Sequence, residues 1–147
     1  MASETLVIPK WLEIAEKELG QHEIKGPEAN PRIVEYHKAT SLQASSDEVP
    51  WCSSFVNWVM QSSGCKGTRS AAARSWASWG KELQKPEFGC VVVLKRGDSP
   101  SSGHVGFWVG EGPDHVKVLG GNQGDQVSIV NFNKSNVIAY RWPKETK

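Results

Sequence analysis

Two residues of this chain have the types and settings to do chemistry. They are the cysteine in Pro50-Trp51-Cys52-Ser53-Ser54-Phe55-Val56 and the histidine in Gly103-His104-Val105-Gly106-Phe107, about fifty positions later. Cys52 falls at the expected start of a helix, where unpaired backbone N–H groups and the positive end of the helix dipole favour a thiolate. His104 falls at the expected start of a strand. An imidazole there can hold the thiolate as an ion pair and later protonate a departing amine. A lone cysteine is more often a small buried core residue. The partner histidine and the order of elements favour a cysteine hydrolase instead.

Such a site needs a third group that accepts the second ring N–H of the histidine and orients it. Leu119-Gly120-Gly121-Asn122-Gln123-Gly124-Asp125 is the best source. Asn122 is the first choice, because the two glycines before it let the backbone approach closely; Gln123 and Asp125 are runners-up. The same residues also make a good polar turn, and the two readings weigh about equally. The oxyanion hole would use the Cys52 amide. A second donor would come from the Trp51 amide or from the Ser45-Ser46-Asp47-Glu48 stretch, so Trp51, Gln123 and Asp47 are the substrate-binding or oxyanion candidates. His22, His37 and His115 lack the strand-start setting. Cys65, in a loop, and Cys90, at the head of an apolar strand, read as structural. No metal site is expected: the Cys and His spacings match no zinc pattern, and Asp47-Glu48 is too small an acidic cluster for calcium.

The elements that must position these residues are legible in outline. Ile8, Trp11, Leu12, Ala15 and Leu19 fall on one helical face after Pro9, with Gly20 as the stop. Asn30-Pro31 caps and opens a second helix whose inner face would carry Ile33, Val34 and His37. A third helix runs from about Trp51 to Gln61, with Cys52, Phe55, Val56, Val59 and Met60 on one face. Ser70 could cap a fourth, through Trp79. Five strands follow: Cys90–Leu94, His104–Val109, His115–Leu119, Gln126–Val130 and Val137–Trp142. In the second, Val105, Phe107 and Val109 face one side and His104, Gly106 and Trp108 the other. His104, at the strand start, is expected to face the third helix. Helices first and an antiparallel meander second argue for α+β.

Composition narrows the function classes. The chain has 147 residues, enough for one domain with a real core. A net charge of +1, with Lys and Arg scattered, gives no reason to expect a nucleic-acid partner. Three cysteines form no disulfide framework. No signal peptide and no bilayer-spanning apolar run are visible, so no stable membrane association is expected. The protein is expected to be made in the cytoplasm, and if it acts elsewhere another agent delivers it.

The residues quoted resemble the cysteine peptidoglycan hydrolases of the CHAP and NlpC/P60 superfamily. Trp51-Cys52-Ser53-Ser54-Phe55-Val56 is similar to the nucleophile helix start. Pro86-Glu87-Phe88-Gly89-Cys90-Val91-Val92-Val93 resembles the strand before the histidine, with Cys90 where that family often has Asp. Gly103-His104-Val105-Gly106-Phe107 resembles the histidine strand, and Leu119–Gln123 falls where the third polar residue belongs. Asn122, where NlpC/P60 members usually carry His, favours the CHAP-like branch, and the N-terminal helices resemble a phage-associated extension. The resemblance implies a papain-like α+β fold, with N-terminal helices packed on an antiparallel sheet of five to six strands. It implies a single catalytic domain over 1–147, helical at 1–49, with the nucleophile helix and sheet at 50–143. It also implies a peptidoglycan amidase or endopeptidase with Cys52, His104 and Asn122 as the catalytic set. No cofactor is needed, the partners are wall stem peptides, and the chain is expected to be a monomer. A phage endolysin is the first reading. A delivered antibacterial amidase toxin and a non-catalytic wall-binding or phage structural module are the alternatives.

Overall fold

Helices come first and strands second in the computed structural model, which describes residues 8–22, 30–40, 51–95 and 103–143. The helices are α1 (Lys10–Lys17), α2 (Pro31–His37) and α3 (Cys52–Ser62), followed by a 3-10 helix at Ala73–Ser78. The strands are β1 (Lys81–Leu83), β2 (Val91–Lys95), β3 (Gly103–Glu111), β4 (His115–Gly120), β5 (Ser128–Asn133) and β6 (Val137–Trp142). They form one antiparallel sheet in the order β1-β6-β2-β3-β4-β5. This is the expected α+β, papain-like arrangement.

Local chemistry explains the helix ends. Pro9 caps α1, and its carbonyl accepts from the Leu12 and Glu13 amides. Trp11, Leu12 and Ala15 are buried as expected, but Ile8 and Leu19, at the two ends of the expected stripe, are about 40% exposed. The helix stops at Lys17, and the Glu18 carboxylate turns inward to the Tyr36 hydroxyl (2.7 Å) and the Arg32 guanidinium (3.1 Å). Burial first, and the Glu18 hydrogen bond second, push the Tyr36 phenol far above its ordinary range. In α2 the Asn30 side chain accepts from the Arg32 amide at 2.9 Å, and Pro31 is the first helical residue. Its inner face is Ile33, Tyr36 and His37, with Tyr36 where Val34 was expected.

The central helix is α3. Phe55, Val56, Val59 and Met60 meet the core, yet Ser53, Ser54 and Asn57 are fully buried as well. Their polar atoms are satisfied from all sides. The Ser53 hydroxyl donates to the Ser70 carbonyl (2.6 Å) and accepts the Trp76 indole N–H (2.8 Å). The fourth helix expected from Ser70 is instead the 3-10 helix. Trp76 within it and Trp79, the extended residue just after it, meet edge to face with centroids 4.8 Å apart.

The sheet has two apolar faces. Val91, Val93, Val105, Phe107 and Leu119 pack beneath the helices, and Val92, Leu94, Val116 and Val118 form a second cluster on the other side. β1 was not expected: three residues with two charges give no period-two signal, and they form a short edge strand on β6. β5 starts later than expected. Gln126 makes an isolated bridge to His22, and Val127 exchanges backbone hydrogen bonds with Gly20 and Gln21, so this segment serves the end of α1 before joining the sheet.

Candidate active site

Cys52 opens α3 and is 7% exposed, at the rim of the core. Its cap residue, Trp51, has no side-chain acceptor, and the first turn of α3 holds no acidic residue. The positive end of the helix is therefore not quenched by its own first residues. The Trp51 indole is fully buried, tilted against Tyr36 with centroids 5.8 Å apart. That ring belongs to the core.

His104 is 2% exposed near the start of β3, directly opposite Leu94 of β2. The alternation expected for this strand holds, so the imidazole lies on the face away from Val105 and Phe107. Its ring stacks, tilted by 32°, on Phe132 of β5 at 5.1 Å. The expectation is that His104 faces α3; the ring contact found, Phe132, belongs to the cluster on the second face of the sheet.

The ring is held by Gln123. His104 Nε2 lies 2.7 Å from Gln123 Oε1. The Gln123 amide nitrogen donates to the Val118 carbonyl (3.1 Å) and the Ser128 carbonyl (2.8 Å). Both are acceptors only, which fixes which end of the amide is nitrogen and leaves the oxygen for the imidazole. The proton of the neutral ring therefore sits on Nε2, and Nδ1 carries the lone pair. Ser128 Oγ donates back to the Gln123 carbonyl (2.9 Å), closing the turn on itself.

Glycines let the turn approach. A Cβ at Gly120 would stand 2.7 Å from Gln123 Oε1, the atom that holds His104. A Cβ at Gly121 would stand 2.7 Å from the Trp51 ring and 2.9 Å from Phe55 Cβ. Two adjacent glycines thus touch the Cys52 end of α3 on one side and the His104 partner on the other. Asn122, the first choice for the orienting role, takes a left-handed turn conformation (φ 60°) and forms no hydrogen bond to the ring among the described residues. That backbone sign turns the next side chain, Gln123, back over Gly120. Asp125, also left-handed (φ 61°), is exposed. Asp47 and the Ser45–Glu48 stretch lie outside the described residues.

The competing residues have other settings. His37 is buried, with Nδ1 2.8 Å from the Ser54 hydroxyl of α3. His22 is exposed, and His115 lies beside Asp114. Burial pushes the Cys90 thiol up to about 12, so it stays protonated and un-nucleophilic at neutral pH. Cys65 follows the C-terminal end of α3 and is half-buried. Sequence reasoning ranked Gln123 below its neighbour. The signal that favours it is the tolerance of Asn for the left-handed region, which makes Asn122 the better turn residue and Gln123 the better reaching one.

A helix-opening cysteine and a histidine held by a locked amide stand on this papain-like α+β frame. The CHAP domain model matches residues 44–122, more than half of the chain, and the chain belongs to the CHAP family. The match spans Cys52 and His104 and ends at Asn122, one residue before Gln123. Family membership supports hydrolysis of peptidoglycan, as amidase or endopeptidase, with peptidoglycan as the substrate. No curated protein matches the chain. Among the described residues no helix is long and apolar enough to cross a membrane.

Proposed function

We propose that this chain is a cysteine-dependent peptidoglycan amidase or endopeptidase in which Cys52 is the nucleophile, His104 the base and then the acid, and Gln123 the positioning residue. The hydrogen bond from His104 Nε2–H to an amide oxygen whose own nitrogen is pinned by two carbonyls carries this reading. It leaves Nδ1 as the basic atom, the one that must take the thiol proton.

The steps follow from that geometry. Nδ1 takes the Cys52 proton, giving a thiolate and an imidazolium that the Gln123 oxygen helps stabilise. The thiolate attacks an amide carbonyl of the stem peptide or crossbridge, and the C–N bond breaks as His104 returns the proton to the amine. Water then gives a proton to Nδ1 and opens the thioester, releasing a carboxylate and restoring the thiol. The amides of Cys52 and Trp51 are the oxyanion donors in this scheme. Cutting a load-bearing wall lyses the cell, which is the endolysin role.

Digestion of purified diaminopimelate-type peptidoglycan, followed by mass spectrometry of the soluble fraction, tests the proposal. Wild type should release fragments whose masses name the cleaved bond, and Cys52→Ala should release none. Fragments from both, or from neither with both proteins folded, would overturn it.

A further inference from the structure

At the other end of α3 from Cys52 lies an open groove of about 950 Å³, lined by Gln61, Cys65, Lys66, Arg69, Trp79 and Pro143 among others. Eleven helical residues separate the two ends, about 16 Å. Among the described residues no carboxylate lines the groove. Lys66 and Arg69 are both exposed, and neither is ion-paired among the described residues. Trp79 forms part of the wall, oriented by its indole N–H on the Lys66 carbonyl (2.9 Å) and by the edge of Trp76.

The segment that presents these cations is held rigidly. Fully buried Asn57 of α3 donates to the Ser53 carbonyl, the Thr68 hydroxyl and the Ser70 carbonyl. Its side-chain oxygen accepts the Arg69 amide at 2.8 Å. Arg69 itself is held at φ 59°, a region an arginine seldom adopts unless its surroundings impose it. A Cβ at Gly67 would strike the Asn57 side-chain oxygen, so the loop sits directly on the buried amide. The 3-10 helix connects groove and candidate site: its Arg74 lies against Gly103 at the start of β3, and its last residue, Ser78, reaches the groove.

We infer that this groove is a second substrate-binding site, which takes the carboxylates of a neighbouring stem peptide on Lys66 and Arg69 and the sugar of the same glycan strand against Trp79. Two cations with no ion-pair partner or acid beside them among the described residues match an anionic ligand, and an indole wall matches a sugar face. The inference rests on the peptidoglycan reading above. A glycan strand lying along the 3-10 helix would engage both ends of α3, and the enzyme would favour polymer over short fragments.

The test uses the full chain carrying Cys52→Ala, in which Cys65 is the thiol that is not buried. A purified disaccharide tetrapeptide should slow alkylation of Cys65 by N-ethylmaleimide several-fold, and an N-acetylglucosamine tetramer without peptide carboxylates should slow it far less. Adding Lys66→Gln and Arg69→Asn, the latter a residue that tolerates the left-handed backbone, should weaken muropeptide binding about tenfold. Unchanged alkylation at high muropeptide, equal protection by the sugar alone, or equal affinity in the double variant would each overturn the inference. Cleavage of wall by wild type is scored separately. Cleavage without Cys65 protection removes this inference and leaves the function standing; protection without cleavage does the reverse.

Discussion

Two buried histidines in this molecule meet neutral polar partners that differ in kind. His104 is held by the Gln123 amide oxygen, an acceptor only, and that amide is locked by two backbone carbonyls. His37 meets the Ser54 hydroxyl, which rotates and can donate or accept. One environment dictates the tautomer of the ring and the other adapts to it. A proton-transfer group needs its basic nitrogen in one fixed place, whereas a histidine packed against an adaptable hydroxyl does not require one tautomer. Burial alone would not have separated the two.

The comparison breaks most sharply on activity. Cys52→Ala and His104→Ala should each cut wall hydrolysis by about 10⁴-fold or more, as removal of one member of a nucleophile–base unit does elsewhere. Circular dichroism should stay native. Turnover near wild type in either variant would mean that the chemistry lies elsewhere.

The next effect isolates the partner. Gln123→Ala removes the acceptor and should lower kcat by about 10–100-fold with little change in KM, since proton transfer by a positioned group is worth about 10²–10⁴ in total. Gly120→Ala should do nearly the same without touching a polar atom, because its Cβ would push on Gln123 Oε1. If Gly120→Ala keeps full kcat while folded, the hydrogen bond is not what positions the ring.

His37→Gln should show the opposite pattern. It removes a buried contact and should cost about 1–3 kcal/mol in chemical denaturation, while kcat/KM well below the melting temperature stays within a few-fold. A loss of kcat comparable to that of His104→Ala would erase the contrast drawn here.

The cysteines repeat that contrast and give it a pH signature. Burial raises the Cys90 thiol to about 12 from an ordinary value near 9, so the native state holds its proton where the unfolded chain has lost it. That contribution to stability is whole below about pH 9 and is lost as pH rises toward about 12. The raised Tyr36 phenol acts in the same direction. The unfolding free energy should therefore fall above pH 9, by on the order of a few kcal/mol at the top of that range, and less steeply in Cys90→Ala. Iodoacetamide at neutral pH should spare Cys90 until the chain unfolds.

What the sequence made legible was local and periodic. The stripe of α3, the cap at Asn30-Pro31 and the alternation of β3 depend on spacings of a few residues, and each appears in the structure. What it hid depended on partners far along the chain. The polar side of α3 looks solvated in sequence, and only the Thr68–Ser70 segment and Trp76 make Ser53 and Asn57 core residues. β1 exists because β6 offers an edge, and its residues carry no strand signal. The segment after Ser70 is a 3-10 helix rather than an α-helix, and its Trp76 is fixed by a distant partner, the Ser53 hydroxyl of α3. In the same way, Cys52 and His104 stand out by their motifs, while which turn residue meets the ring depends on the sign of one backbone angle.

That choice gives the smallest and most discriminating prediction. Asn122 is half-buried at φ 60°, beside the Gln123 amide that holds the ring. Asn122→Gly keeps access to that angle and deletes the side chain, so kcat should stay within about two- to threefold of wild type. Asn122→Ala deletes the same atoms but strains the turn, so any loss it shows beyond the glycine variant measures how far the turn conformation supports Gln123. If Asn122→Gly falls as far as Gln123→Ala, the Asn122 side chain itself acts in the reaction, and the hydrogen bond to Gln123 describes only the resting ring. If Asn122→Gly is active and Asn122→Ala is slow, the residue is there for its backbone, and the orienting group is the one the geometry favours.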